Sequence, residues 1–383
     1  MQHGIFTYPW DLHDHGYDAA LGEIAEAGFS NVNLAMQYHN GKFLLPRNPK
    51  RRVYYSEDGA IHYRPNLRTY GAMKPRVHSL VTETSSPAEE LAKRAGDLGL
   101  NFVAWTVCNH NRWLGEQFPE AVQHTVFADP LYNSLSPAHP LVREYLIAHV
   151  TDMATQFDLH AIMLESPGYM GFVHGEHHEI IGTEFDPVQR DMLNLSFSDY
   201  EVEKATAEGI PAEILRGLTA AVLDASINQG VKLAKDDGSP ARVVESLVNG
   251  GLPEYMVWLK KQELSLAEEI REAVKAVNPN TEIWHFAKLD GTPGDAALIA
   301  TGDGTLAGYA GSDEDAGRRA HDAAQLGRPV RGAIRAIAPD VTDPAMVTPR
   351  KSAWEKAGVT GIDVYNYGLM NGVIWDAVRK AFG

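Results

Sequence analysis

Short apolar runs alternate with stretches of helical spacing along most of the chain. Runs of strand length fall at residues 4–8, 31–36, 102–108, 161–164, 283–288, 305–310, 330–337 and 362–367. Helical patterns lie between them. Residues 17–27 place Leu21, Ile24 and Ala25 on one stripe, with Gly28 where a C-terminal cap belongs. Residues 141–156, 211–229 and 252–277 read the same way, the second of these with Pro211 in its first turn. Strand–helix alternation implies a parallel sheet with right-handed crossovers. Eight repeats predict an α/β fold, a closed (β/α)8 TIM barrel. A doubly wound nucleotide-binding sheet is the rival, but neither GxGxxG after the first strand nor GxxxxGK[ST] anywhere is present.

Two stretches interrupt the alternation. Residues 40–85 contain a hairpin pattern, 53–55 and 61–63 joined through Glu57-Asp58-Gly59, since Asp-Gly is a turn pair. Residues 171–280 form a longer, helical insertion. The expected organisation is a single barrel domain over residues 1–383, with insertions after strands two and four and the second lying on the catalytic face.

Strand ends then become the places to look for chemistry. The run at 161–164 stops on Glu165, and Pro167 and Gly168 forbid its continuation. A carboxylate closing a buried strand is poor core material and belongs at a barrel mouth. Side chains alternate along a strand, so each strand end has an inward set. In the third run the smaller, more polar face of Ala104, Thr106, Cys108 and His110 is expected inward, against Val103, Trp105 and Val107. The same reasoning aims Gln37 and His39 at the mouth from strand two, and Arg335 from strand seven. Strand five is ambiguous, with Trp284, Phe286, Lys288 and Asp290 on one face. Strand eight offers Tyr365 on one face and Asn366 on the other. Trp10, Tyr38, Tyr169, Trp284 and Tyr365 are aromatics near strand ends.

Composition narrows the partners. The 383-residue chain carries a net charge of −16, which argues against nucleic acid or an anionic membrane surface as partner. No apolar run approaches a membrane span and the N-terminus lacks a secretory pattern, so a cytoplasmic protein is the expectation. The single cysteine, Cys108, excludes an internal disulfide and reads as inert core. Ser312 followed by Asp313, Glu314 and Asp315 is a helix start, not a site.

The segments SLSPAHPLVREY and HAIMLESPGY, around the fourth strand, and the closing GIDVYNYG resemble uncharacterised bacterial glycoside-hydrolase-like (β/α)8 barrels. The resemblance touches about half of the chain. It implies a small carbohydrate substrate and puts Glu165 at the strand-four carboxylate position common in glycosidase barrels. The family pattern has a second glutamate at the end of strand seven, where this chain has Arg335, Ala338 and Asp340.

Glycoside hydrolysis takes two carboxyl groups, one protonating the leaving oxygen and one acting as nucleophile or base. Glu165 and Asp340 are the candidates, Asp340 being preferred to Asp290, which sits in a Gly/Pro-rich turn. His39, His110, Lys288, Arg335, Tyr365 and Asn366 are the candidate substrate contacts. The competing chemistry is a metal-dependent sugar isomerase, epimerase or lyase, with His174, His177 and His178 of the HGEHHE loop as ligands to a divalent ion. Its spacing is not HExxH, so no cofactor is expected. A non-catalytic sugar-binding barrel is the third reading, and a homo-oligomer stays open.

Overall fold

A computed structural model describes residues 1–174, 184–287, 293–309, 312–325 and 327–383. Eight parallel strands close on themselves. They are β1 (Gly4–Thr7), β2 (Asn31–Tyr38), β3 (Asn101–Val107), β4 (Ala161–Glu165), β5 (Glu282–Ala287), β6 (Gly304–Ala307), β7 (Val330–Arg335) and β8 (Gly361–Tyr365). Each pairs with the next, and β8 returns to β1 through Gly4 opposite Asp363 and Ile5 opposite Val364. The (β/α)8 barrel predicted from the alternation is the observed fold, every expected run forming its strand within a few residues. The helix Leu252–Val277 spans the expected range, and Gly28 is left-handed (φ 82°) just past the helix Tyr17–Glu26. Ser312 accepts from the Asp315 N–H at the start of helix Asp313–Ala324, as its sequence implied.

The chain divides into two compact units. The first holds residues 1–108, 146–165 and 267–383, and the second residues 109–145 and 166–266. In the first, alternate strand residues fill the barrel, with Phe6, Ala35, Val103, Trp105, Met163, Trp284, Leu306 and Ala333 from seven strands buried together and Tyr365 of β8 packed against them. The second is mostly helical, with an antiparallel ribbon of Val122–His124 and Pro130–Leu135. Phe197 stacks on Tyr255 at 4.7 Å within its core. There the buried Glu201 carboxylate accepts from the Ser136 hydroxyl (2.6 Å), the Ser196 hydroxyl and the Ser198 N–H (3.0 Å), joining distant segments of the unit.

The expected 53–63 hairpin is corrected. The turn forms, with Gly59 left-handed (φ 64°), but Val53–Tyr55 pairs with Lys42–Leu44, and Ala60–Ile61 lies antiparallel on Gln37 and Tyr38. The end of β2 is paired by this segment, and the His62 N–H donates to the Met36 carbonyl (2.9 Å), with Ile61 and His62 buried there.

The barrel seam is tied by one buried carboxylate. Asp363 on β8 accepts from Asn33 on β2 (2.8 Å) and from the Arg331 guanidinium on β7 (2.6 Å), while Arg331 also donates to the Gln2 carbonyl (2.8 Å) and lies over Trp284 at 4.8 Å. Two glycines make the space. A Cβ at Gly4 would stand 2.0 Å from Asp363 Oδ1, and one at Gly361 2.4 Å from the Arg331 guanidinium. Asp363→Ala strands a buried arginine, so a loss of about 3–5 kcal/mol in unfolding free energy is expected in denaturant titration. Asp363→Asn, which keeps an acceptor, is expected to lose less.

Candidate active site

Each of the eight strands delivers one large side chain to the C-terminal mouth of the barrel. They are Tyr8, Tyr38, Trp105, Glu165, Phe286, Tyr309, Arg335 and Tyr365 in strand order. Six are aromatic, one is acidic and one basic. The aromatic edges meet around the ring. Trp105 lies 5.4 Å from Tyr8, 5.2 Å from Tyr38 and 6.1 Å from Tyr365, and Tyr309 lies 5.4 Å from Phe286 and 5.5 Å from Tyr365.

Glu165 is half-buried at the end of β4, where its Oε2 accepts from the Trp105 indole N–H at 2.5 Å. Burial pushes the carboxyl above its ordinary pKa, and the indole hydrogen bond opposes that rise. Its neighbours stay neutral. Burial raises the Tyr8, Tyr38 and Tyr309 phenols and the Cys108 thiol, and pushes Tyr365 up to about 12.

Three phenols share a chain of hydrogen bonds, Tyr8 to Tyr38 at 2.9 Å and Tyr8 to Tyr365 at 2.5 Å. A phenol has one proton. With that of Tyr8 on Tyr38, Tyr365 donates to Tyr8, and the Tyr38 proton is left to point away from the pair. Behind them Trp10 stacks on Tyr8 at 4.6 Å. Asp11, fully buried in the first turn of the helix Pro9–His15, accepts from the Tyr8 N–H (3.2 Å), and burial pushes it up to about 7.

The sequence-predicted residues divide. Glu165, Arg335 and Tyr365 reach the mouth. Arg335 spends its Nε and Nη2 on Asp340 (2.9 and 2.7 Å) and lies over Tyr309 at 5.3 Å, so Asp340 has an arginine on both oxygens. Asn366 points the other way, buried, its Oδ1 accepting from the Gly368 N–H (3.0 Å) as a loop brace. Lys288, Asp290, His177 and His178 lie outside the described residues. His110 and His174 belong to the second unit, edge-on at 5.0 Å, with His110 bridged to Ser134. Tyr169 is also in that unit. Among the described residues no group of three His, Cys, Asp or Glu side chains is set to hold a metal ion, and no helix is long and apolar enough to cross a membrane.

Two facing assignments are corrected. On β3 the inward face is Val103, Trp105 and Val107, not Ala104, Thr106 and Cys108. Small side chains fit on the outer face of a barrel strand, beneath the surrounding helices, whereas only large ones reach across its mouth. On β2 a bulge at Met36 breaks the alternation, so Ala35 pairs at Trp105 and Gln37 at Thr106. Tyr38 therefore turns inward. Gln37 donates to the Val107 carbonyl at 2.7 Å, and His39 stacks on Tyr38 at 4.3 Å. Tyr8 and Tyr309 were missed altogether. An aromatic just past each strand end was the signal available for both.

No family model and no curated protein matches the sequence. Among solved structures, the fold is similar to α-L-fucosidase isoenzyme 2 from Paenibacillus thiaminolyticus (TM-score 0.63, 11% identity). It is also similar to the β-galactosidases of Halorubrum lacusprofundi (0.61, 11%) and Marinomonas ef1 (0.59, 9%). These neighbours are glycoside hydrolases. All of this chain is covered in each match, but it spans only 49%, 57% and 59% of their lengths. At such identity the likeness carries the fold alone.

Because the folded-state pKa of Glu165 is raised, its ionisation opposes folding, and stability falls as pH rises from the free carboxyl range through the folded pKa. Glu165→Gln is expected to melt at or above the wild-type temperature at pH 8, with the gap closing toward pH 4. Melting curves across that range check it; a variant less stable at pH 8 than at pH 4 relative to wild type contradicts it.

Proposed function

We propose that this chain is a glycoside hydrolase acting on a small neutral sugar, with Glu165 as the acid/base. The observation that carries this is the half-buried carboxyl with a raised pKa, closing β4 inside a ring of aromatic side chains. A general acid needs a pKa brought toward the working pH, and a water-poor aromatic wall supplies that. Aromatic faces also suit the apolar C–H faces of a pyranose. The fucosidase and β-galactosidases of similar fold support the substrate class, and they suggest α-L-fucosides and β-D-galactosides as first substrates to assay.

Asp340 is the second carboxyl in this reading. Arg335 holds both of its oxygens and fixes where they point, as a nucleophile requires. In this reading Tyr365 and the Arg335 donors not spent on Asp340 bind sugar hydroxyls. The proton leaves Glu165 for the glycosidic oxygen as Asp340 attacks the anomeric carbon, and Glu165 then takes a proton from the water that releases the sugar.

Turnover of aryl glycosides by Glu165→Gln is expected to fall by about 10²–10⁴-fold with the fold intact. Asp340→Asn is expected to fall at least as far; a mild loss there would make Asp340 a brace for Arg335 only. Near-normal turnover in folded Glu165→Gln removes hydrolysis through this residue.

The reading needs no metal ion. Chelation is therefore expected to leave the rate unchanged, and His178→Ala to be mild. A stoichiometric divalent ion lost together with activity would favour the isomerase or lyase chemistry instead.

A further inference from the structure

The indole N–H of Trp105 donates to Glu165 Oε2, and it is the one hydrogen bond to that carboxyl among the described residues. Trp105 is 2% exposed, so water does not compete for its N–H. Nor is the indole free to turn. Phe6 meets it edge-on at 5.0 Å, Tyr38 and Tyr365 edge-on at 5.2 and 6.1 Å, and Tyr8 at a tilt at 5.4 Å. The direction of the N–H is set by this packing, which would persist without the glutamate.

An indole nitrogen is a donor and never an acceptor. The Glu165 oxygen facing it therefore accepts in both ionisation states: with the proton on Oε1 it stays a carbonyl acceptor, whereas a proton on Oε2 would leave the indole only the weaker acceptor of a carboxyl hydroxyl. We infer that Trp105 is the positioning residue of this site: it holds Oε2 as a permanent acceptor, so the acid proton resides on Oε1 and Oε1 is the oxygen that exchanges it. The same bond stabilises the carboxylate against its aromatic surroundings, so Trp105 sets how far burial can raise the acid. The placement of the proton stands on geometry alone. Its catalytic consequence rests on the hydrolase reading.

Several groups lie close enough to the carboxyl to feel its charge. Cys108 after β3, Tyr38 on β2, Tyr309 after β6 and Tyr365 on β8 are all held in their neutral forms by burial. Arg335 and Asp340 on the β7 side are paired with each other. Asp11, which acts on Tyr365, is the other carboxyl near the mouth with a raised pKa, about 7, so an assignment to Glu165 needs a control.

Trp105→Phe keeps an aromatic ring and removes the donor. In protein labelled with ¹³C at glutamate carboxyls, the Glu165 signal is identified by its loss in Glu165→Gln, which also separates it from Asp11. Its titration midpoint is expected to rise in Trp105→Phe by about one pH unit or more, the size expected for losing a hydrogen bond to a charged group. The alkaline limb of the kcat/KM profile is expected to move up with it. An unchanged midpoint overturns the inference. A raised midpoint in a protein without glycosidase activity leaves the inference standing and removes the hydrolase reading. Should Trp105→Phe not fold, the wild type decides. One ¹⁵N-labelled indole N–H signal is expected to shift with pH at the Glu165 midpoint and to stop doing so in Glu165→Gln. If no indole signal behaves so, the inference falls.

Discussion

A parallel barrel has to bring its last strand back beside its first, and in this chain that closure depends on the buried Asp363 carboxylate. It binds Asn33 and Arg331 from strands on either side of the seam; the β1 backbone approaches it at Gly4 and the β8 backbone approaches Arg331 at Gly361, where any side chain would collide. A charge so placed is stable only while fully partnered, because the desolvation cost is offset by the ion pair and its hydrogen bonds together. The other strand pairings form from neighbours in sequence. This one joins residues at opposite ends of the chain, so it is the contact through which the eight strands become a closed wall with a mouth.

At the mouth, closure converts strand alternation into proximity. Side chains separated by hundreds of residues meet edge to edge, Tyr8 with Tyr365 and Trp105 with both. Their combined effect falls on Glu165. The rings withdraw water and raise its pKa, while the indole N–H of Trp105 opposes that rise. The cost appears as stability at neutral pH, since a carboxyl held above its ordinary pKa works against folding once it ionises. Asp11, pushed up to about 7 by burial in the helix after β1, adds a second charge of that kind. Arg335 and Asp340 pair with each other, with the guanidinium lying over the Tyr309 ring.

Period and strand length determined the fold by themselves. Eight short apolar runs with helices between them have few ways to pack, and the barrel follows from hydrophobic burial and crossover handedness without any particular residue. Glu165 was legible for a similar reason, as a carboxylate ending an apolar run and followed by Pro167 and Gly168. Which side chains share its site was decided by tertiary structure. The bulge at Met36 exchanged Tyr38 for Gln37 and His39, and a bulge leaves no mark in an apolar stretch. Polarity pointed Ala104, Thr106 and Cys108 inward, whereas the space across a barrel mouth selects for size and took Trp105. Arg335 and Asp340 were visible as neighbours in sequence, but their bidentate geometry belongs to the folded β7 loop. Spacing along the chain carries period and charge, while the partner of each group is fixed only when distant strands close into one wall.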